Sequence, residues 1–343
     1  MTLDYFYKIK FYKKVFNLVF ISRIIMSGQK YFIRCFTVGV YGIEFIMHNK
    51  RDRRKCMDIK LGKLLGTGAG SDVYEIGNDK VLKLYKRNSI GNIDYEYNKS
   101  LTVYKNGLPI PKIYEIIEYN GQRGFIMEQI KGESFLQIML NNIDDCYNKG
   151  MSCTETFYSP VNIELIEKTA TTLFHLHEKS CSALESAQGS LKMSCKYNQY
   201  LTEQEKNIVY SLIDNLPVAD NVCHGDPNPG NFIIRDDKIR LIDWNNCVKA
   251  SPLYDITEYT LMMKYSDTSV DSIENKHIAE YLRECKEEYI KLFIESYSKL
   301  SDVNISNMDI WIIPLLVSKM GGNNTLKKQE GLLADIRNRL RIL

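Results

Sequence analysis

The residues that most restrict what this chain can fold into lie between positions 223 and 244. Cys223-His224-Gly225-Asp226-Pro227-Asn228-Pro229-Gly230-Asn231 is followed by Leu241-Ile242-Asp243-Trp244. An Asp, an Asn five residues on and an Asp twelve beyond that sit among two strand-like runs, Asn231 to Ile234 and Ile239 to Ile242. Asp and Asn are ordinary turn residues, but this set at this spacing is not ordinary. Phosphoryl transfer needs a carboxylate to orient or deprotonate the attacking hydroxyl, and two hard oxygen ligands to hold Mg²⁺ against nucleotide phosphates. Asp226 suits the first role, and Asn231 and Asp243 the second.

A second signal precedes it. Lys60 to Leu65, Asp72 to Ile76 and Lys80 to Tyr85 read as three strands, separated by the tight turn Gly66-Thr67-Gly68-Ala69-Gly70-Ser71 and by Gly77-Asn78-Asp79. Hairpin turns commonly take glycine for its positive φ. Here the glycines lie between two strands, which argues against a dinucleotide-binding fingerprint, and no Gly-Lys-Ser/Thr follows as in a P-loop. A hairpin lying over phosphates fits instead. Lys83, between apolar neighbours on the next strand, can point into a cleft toward those phosphates. Residues 93–105 are helix-compatible and bring Glu96 as its natural ion-pair partner, with Glu75 or Glu115 as alternatives. Gly107-Leu108-Pro109-Ile110-Pro111 ends that helix, and Ile113 to Tyr119 and Gly124 to Ile130 read as two more strands.

Beyond Gly132 the character becomes helical. Residues 161–179, 203–215, 277–300 and 308–340 read as helices, the last as two around Gly321-Gly322. His175 and His177 lie on an apolar helix and read as packed or partly exposed. The expected fold class is α+β and bilobal: a small N-lobe (57–131) with an antiparallel sheet of about five strands and one helix, and a larger, mostly helical C-lobe (132–343).

Residues 1–56 are a different kind of sequence. They carry 12 Lys+Arg against 3 Asp+Glu and 12 of the 38 aromatic residues. Met57 opens the ordinary globular sequence and reads as the true start, with 1–56 an atypical extension. No run in it approaches the ~18 apolar residues of a spanning helix, so no membrane association is expected unless this basic, aromatic stretch lies on lipid. The whole chain's net charge of +3 is too mild for a nucleic-acid binder. Nine cysteines, with no Cys-x-x-Cys pair, suit free thiols in the cytoplasm.

Together the glycine loop, Val81-Leu82-Lys83, the helix with Glu96, Gly107 to Pro111, Phe125-Ile126-Met127-Glu128-Gln129-Ile130-Lys131-Gly132-Glu133, Leu173-x-x-Leu176-His177, the His-Gly-Asp-x-x-x-x-Asn run and Ile242-Asp243-Trp244 resemble the aminoglycoside phosphotransferase family, which includes choline-kinase-like small-molecule kinases. The resemblance covers about 57–300. It implies a protein-kinase-like fold and transfer of a γ-phosphoryl group from ATP, with GTP as the alternative, to a small-molecule hydroxyl in the presence of Mg²⁺. By position, Asp226 becomes the catalytic base, Asn231 and Asp243 the metal ligands, and Lys83 the phosphate contact braced by Glu96. Gly66, Gly68, Gly70 and Ser71 cover the phosphates. Glu128 to Ile130 form the hinge that binds the base through its backbone, and His224 and Asp255 support the catalytic loop. Two departures stand out: Pro227 follows the catalytic Asp, and Asn245 to Lys249 differ from the stretch typical after the metal-binding Asp. Residues 132–343 carry 22 Lys+Arg against 30 Asp+Glu, which favours a cationic acceptor such as an aminoglycoside or amino alcohol. The alternatives are a nucleotide-binding protein without turnover, or a protein kinase, against which the missing His-Arg-Asp, Asp-Phe-Gly and Ala-Pro-Glu segments argue.

Overall fold

A computed structural model describes residues 23–26, 29–37, 43–47, 59–68, 70–87, 92–265, 274–320 and 326–343. The chain forms two compact units, Met1–Lys55 and Cys56–Leu343. The first contains a three-stranded antiparallel sheet, β1 (Arg23–Met26), β2 (Gln29–Thr37) and β3 (Ile43–Met47), in that order. Met57, read as the start, lies outside the described residues. So do the side chains of residues 1–56 on which the lipid-surface reading rests.

The second unit begins with a five-stranded antiparallel sheet of order β4-β5-β6-β8-β7. Its strands are β4 (Leu64–Thr67), β5 (Ser71–Glu75), β6 (Lys80–Tyr85), β7 (Ile113–Tyr119) and β8 (Gln122–Glu128). Strand β6 shows why the sheet is two-sided. Leu82 and Leu84 enter a small cluster with Ile117 and Ile126, whereas Tyr85 joins the main core with Phe125 and Ile113. Successive side chains alternate faces, so Lys83 lies on the Tyr85 side, toward helix α1 (Ile93–Lys105). Asn92 starts α1 by accepting the Tyr95 N–H on its side chain at 3.2 Å.

The larger lobe follows Gly132. Here φ is +147°, and a Cβ would lie 2.3 Å from the Ile234 carbonyl oxygen, so only glycine fits. The short strand β9 (Glu133–Ser134) leads into α2 (Phe135–Asn148), α3 (Cys153–Phe157), α4 (Pro160–His177), α5 (Ala187–Tyr197) and α6 (Glu203–Asp214). Ser134, Ser186 and Thr202 cap α2, α5 and α6. Strands β10 (Val222–Cys223), β11 (Phe232–Arg235), β12 (Lys238–Leu241) and β13 (Val248–Lys249) then frame the signature loops. They pair as β10-β13 and β12-β11-β9, antiparallel throughout. Helices α7 (Leu253–Lys264), α8 (Lys276–Glu284), α9 (Lys286–Ser298), α10 (Asp309–Lys319) and α11 (Leu326–Leu340) complete the lobe. Their buried side chains, Trp311, Phe293 and Tyr297 among them, form one continuous core with α4 and the sheet. No helix among the described residues is long and apolar enough to cross a membrane.

Two expectations need correction. Strand β4 runs into the glycine turn: Gly66 pairs with Val73 and Thr67 with Asp72, which leaves a tighter turn. The helix expected over 277–300 is two helices, broken at Cys285, where φ is −95° and ψ 0°.

Candidate active site

The site is built from three stretches of chain that the fold brings to one cleft. From the sheet comes Lys83, whose Nζ donates to Glu96 Oε1 at 2.5 Å and reaches Asp243 Oδ1 at 3.3 Å. The Lys83 side chain is only 12% exposed, against 44% for Asp243, so the pair joins a sheltered cation to a carboxylate facing the open cleft. The two carboxylates offset the desolvation of Lys83 and hold its ammonium protonated: burial lowers its pKa, but Asp243 and then Glu96 raise it more. Tyr85, two residues along β6, donates its hydroxyl to the other oxygen of Glu96. Burial first, and this contact second, push the Tyr85 phenol far above its ordinary range, so it stays a donor.

The glycine turn, shortened by the pairing of Gly66 and Thr67 in β4, does not depend on left-handed backbone at its first two glycines. Neither Gly66 nor Gly68 has a positive φ, and nothing lies within 4 Å of the position a Cβ on Gly66 would take. Gly66 thus leaves open room at the loop. Gly68 donates its N–H to the Ser71 carbonyl at 2.8 Å, and Lys86 Nζ donates to the Gly68 carbonyl at 2.7 Å. The Gly70 carbonyl accepts the Lys86 N–H at 2.9 Å. Ser71 itself is buried in the sheet. Lys86 is a residue that sequence reasoning missed. Its only signal is a basic side chain one position past the end of β6.

The stretch expected to bind the base, Glu128 to Ile130, has unequal members. The Glu128 N–H donates to the Lys112 carbonyl at 2.8 Å and the Gln129 N–H to the Asp79 carbonyl at 2.9 Å. The Glu128 carboxylate accepts the Lys112 N–H at 2.9 Å. Among the described residues, the Ile130 N–H has no backbone partner.

The loop that carries Asp226 is held from behind. Asp255, at the start of α7 and fully buried, accepts the His224 N–H at 2.7 Å on one oxygen and the Gly225 N–H at 2.7 Å on the other. It also accepts His177 Nε2–H at 3.0 Å, while His177 Nδ1 meets the Tyr297 hydroxyl at 2.7 Å. His177 is thus a structural link between α4, α7 and α9, not an isolated packed histidine. The His224 ring spans the Asp226 and Ile242 carbonyl oxygens at 3.0 Å each, stapling the two signature loops together. Gly225 has φ +78°, and a Cβ there would stand 2.2 Å from the Asn246 carbonyl oxygen. Asp243 has φ +60°, unusual for a non-glycine residue. The left-handed bend is stored at the carboxylate that faces Lys83. Cys223 Sγ, close to His177 and Asp255, donates to the Ala250 and Ser251 carbonyls, so this buried trio is already hydrogen-bonded within the protein.

Asp226 and Asn231 project from the same loop. Asn231 Nδ2 donates to the Asp226 carbonyl at 2.9 Å, and among the described residues its side-chain oxygen accepts no hydrogen bond. Burial, and after it the charge of Asp243, push the Asp226 carboxyl above the usual carboxylate range, against the opposing effect of His224. Two carboxylates close enough to repel, with an amide oxygen beside them, are a donor set of hard oxygen ligands suited to a divalent cation. A cavity of about 490 Å³ opens beside Asp226, between α1, α5, α7 and α10. A separate cavity of about 410 Å³ between α6 and α11, lined by Glu205 and Arg337, contains none of these residues.

A strand lysine tied to a helix glutamate, a glycine hairpin and two stapled acidic loops define a protein-kinase-like phosphotransferase. Residues 62–287, more than half of the chain, match the family model of the phosphotransferase enzyme family, and the chain belongs to that family. It is a small-molecule kinase. Among solved structures it is similar to a choline/ethanolamine kinase family protein from Mesorhizobium loti, with TM-score 0.50, 14% identity, and 81% of this chain and 87% of that one covered. It is also similar to APH(2'')-IIa in a ternary complex with streptomycin and ATP (TM-score 0.45, 17% identity, 81% and 91% covered). A third is aminoglycoside phosphotransferase APH(3'')-Id from Streptomyces rimosus (TM-score 0.43, 12% identity, 75% and 92% covered). No curated protein matches the chain by sequence.

Proposed function

We propose that the protein transfers the γ-phosphoryl group of ATP, or of GTP, to a hydroxyl group of a small molecule. The observation that carries this reading is the meeting of Lys83 with Glu96 and Asp243 in a cleft that also receives Asp226 and Asn231. Residues 57–131 supply the nucleotide site and 132–343 the catalytic loop and acceptor cavity. Lys83, held by Glu96, binds the nucleotide phosphates. Ile130 donates its N–H to the base, and the hairpin at Gly66 to Gly70 covers the phosphates. The acceptor hydroxyl donates to the Asp226 carboxylate, whose raised proton affinity suits it to take the proton. The acceptor oxygen bonds to the γ-phosphorus as the bond from that phosphorus to the bridging oxygen breaks. The proton passes to Asp226, and the nucleoside diphosphate leaves with the electron pair. Asn231 and Asp243 would hold Mg²⁺, which when bound neutralises charge on the phosphates. Catalysis rests on positioning and on charges fixed before the reaction.

Seven cysteines among the described residues are free thiols, in keeping with our placing the enzyme in the cytoplasm. A coupled assay of nucleoside diphosphate release, with Mg-ATP or Mg-GTP and a panel of amino alcohols, aminoglycosides, sugars and peptides, tests the reading. Acceptor-dependent release that disappears in Asp226→Ala supports it. Tight nucleotide binding without release would leave a non-catalytic nucleotide binder, and release with peptides alone a protein kinase.

A further inference from the structure

The cavity beside Asp226 is where an acceptor must sit if the phosphotransfer reading is right, and its walls constrain the acceptor's chemistry. Helix α1 contributes Asn92 and Lys99, α5 contributes Ser190 and Ser194, and the far side carries Glu258 of α7 and Lys319 of α10. Hydroxyl and amide groups on opposite walls suit a compound with several hydroxyls more than a hydrocarbon. The charges are unevenly committed. Glu96, on the same wall, is held by Lys83 and Tyr85. Glu258, almost fully buried, is bound by Lys319. Lys99 is different. Its Nζ lies 3.4 Å from the Tyr95 hydroxyl and 5.3 Å from the centre of that ring, and no carboxylate among the described residues is within ion-pair distance. Glu185 accepts from the Tyr95 hydroxyl at 2.8 Å and acts on Lys99 only at longer range.

With Asp226 assigned to the hydroxyl proton, the charge left facing a ligand is positive. A cationic acceptor, suggested by the acidic balance of residues 132–343, would meet the ammonium group of Lys99, whereas Lys319 is already paired with Glu258. Net charge over a lobe does not locate charge in a cavity. We infer that the acceptor is a small polyhydroxyl compound bearing an anionic group, a carboxylate or a phosphate, which pairs with Lys99 while a hydroxyl reaches Asp226.

A charge series on one sugar ring tests this: glucuronate and glucose 6-phosphate, glucose, and glucosamine. Binding is measured by calorimetry without nucleotide, and transfer by diphosphate release with Mg-ATP. The anionic sugars should bind about tenfold or more tightly than glucosamine, the size of one charge-assisted contact. Lys99→Met should erase that preference through KM with kcat little changed, and Lys99→Arg should restore it. The two anionic arms distinguish carboxylate from phosphate. Equal or better binding of glucosamine, an order unchanged by Lys99→Met in a folded variant, or no binding by any member would overturn the inference. The expected, Lys99-dependent binding order without phosphoryl transfer to any sugar would support the inference and count against the phosphotransfer reading, so the two fail separately.

Discussion

Replacing Asp255 by Ala should unfold the back of the catalytic loop more than its single lost carboxylate suggests. The carboxylate is fully buried and accepts from three donors: the His224 and Gly225 N–H groups, each at 2.7 Å, and His177 Nε2 at 3.0 Å. None of them can turn to water without moving the chain. An orphaned buried donor costs about 1–3 kcal/mol, so orphaning all three amounts to about 3–9 kcal/mol. That is a large share of a stability of about 5–15 kcal/mol. Asp255→Asn keeps the shape but turns an amide N–H₂ toward one of the donors, at a cost of about 1–3 kcal/mol. Urea unfolding of the whole chain, followed by fluorescence, measures both midpoints. The Ala variant should fall well below the Asn variant, and Asn below wild type. Phosphoryl transfer by the folded Asn variant should also drop, because Gly225 adjoins Asp226. An Ala variant within about 1 kcal/mol of wild type would refute the claim that Asp255 holds this loop.

Four further outcomes follow from the geometry. Gly225→Ala combines a left-handed φ with a Cβ only 2.2 Å from a backbone oxygen, and should cost more than the roughly 1 kcal/mol of an ordinary glycine substitution and lower the thermal midpoint. Asp226→Asn should lose about 10²–10⁴-fold in turnover. It should also unfold at higher temperature than wild type, because burial and Asp243 disfavour the charged form. Tyr85→Phe removes the buried hydroxyl from Glu96 and should cost about 1.5–3 kcal/mol in urea unfolding, with weaker nucleotide binding as Lys83 loosens. Glu205 is held below the ordinary glutamate range, first by the hydrogen bond from Arg337, which ties α11 to α6. A depressed carboxylate contributes stability that is complete above its unfolded pKa and lost as pH falls through its folded one. Because the pair is partly exposed, Arg337→Met should remove about 0.5–1 kcal/mol at neutral pH and nothing below that window.

The signature loops were legible because their chemistry is local: Asp226, Asn231 and Asp243 are few residues apart, and short strands hold them. Lys83 and Glu96 were legible because a strand lysine followed by a helix glutamate has few other partners. Helix α7 was not legible. Every residue from Leu253 to Tyr259 is buried, so no polar stripe marks a helical period. The break at Cys285 was hidden because Glu- and Lys-rich sequence continues on both sides. Tyr85 and His177 act through partners 11 and 78 or more residues away, on other elements, and such contacts leave no local pattern. The acidic balance of the C-lobe averages over a surface and says nothing of Lys99, which lies outside residues 132–343.

The central claim is that this cleft moves a phosphoryl group onto a small-molecule hydroxyl with Asp226 receiving the proton. The most direct measurement follows the phosphorus. With ATP radiolabelled at the γ-position and the acceptor found in the panel, label should appear on the acceptor from wild type and be lost from Asp226→Asn. Label recovered only as inorganic phosphate, or transferred equally well by the variant, would contradict the account.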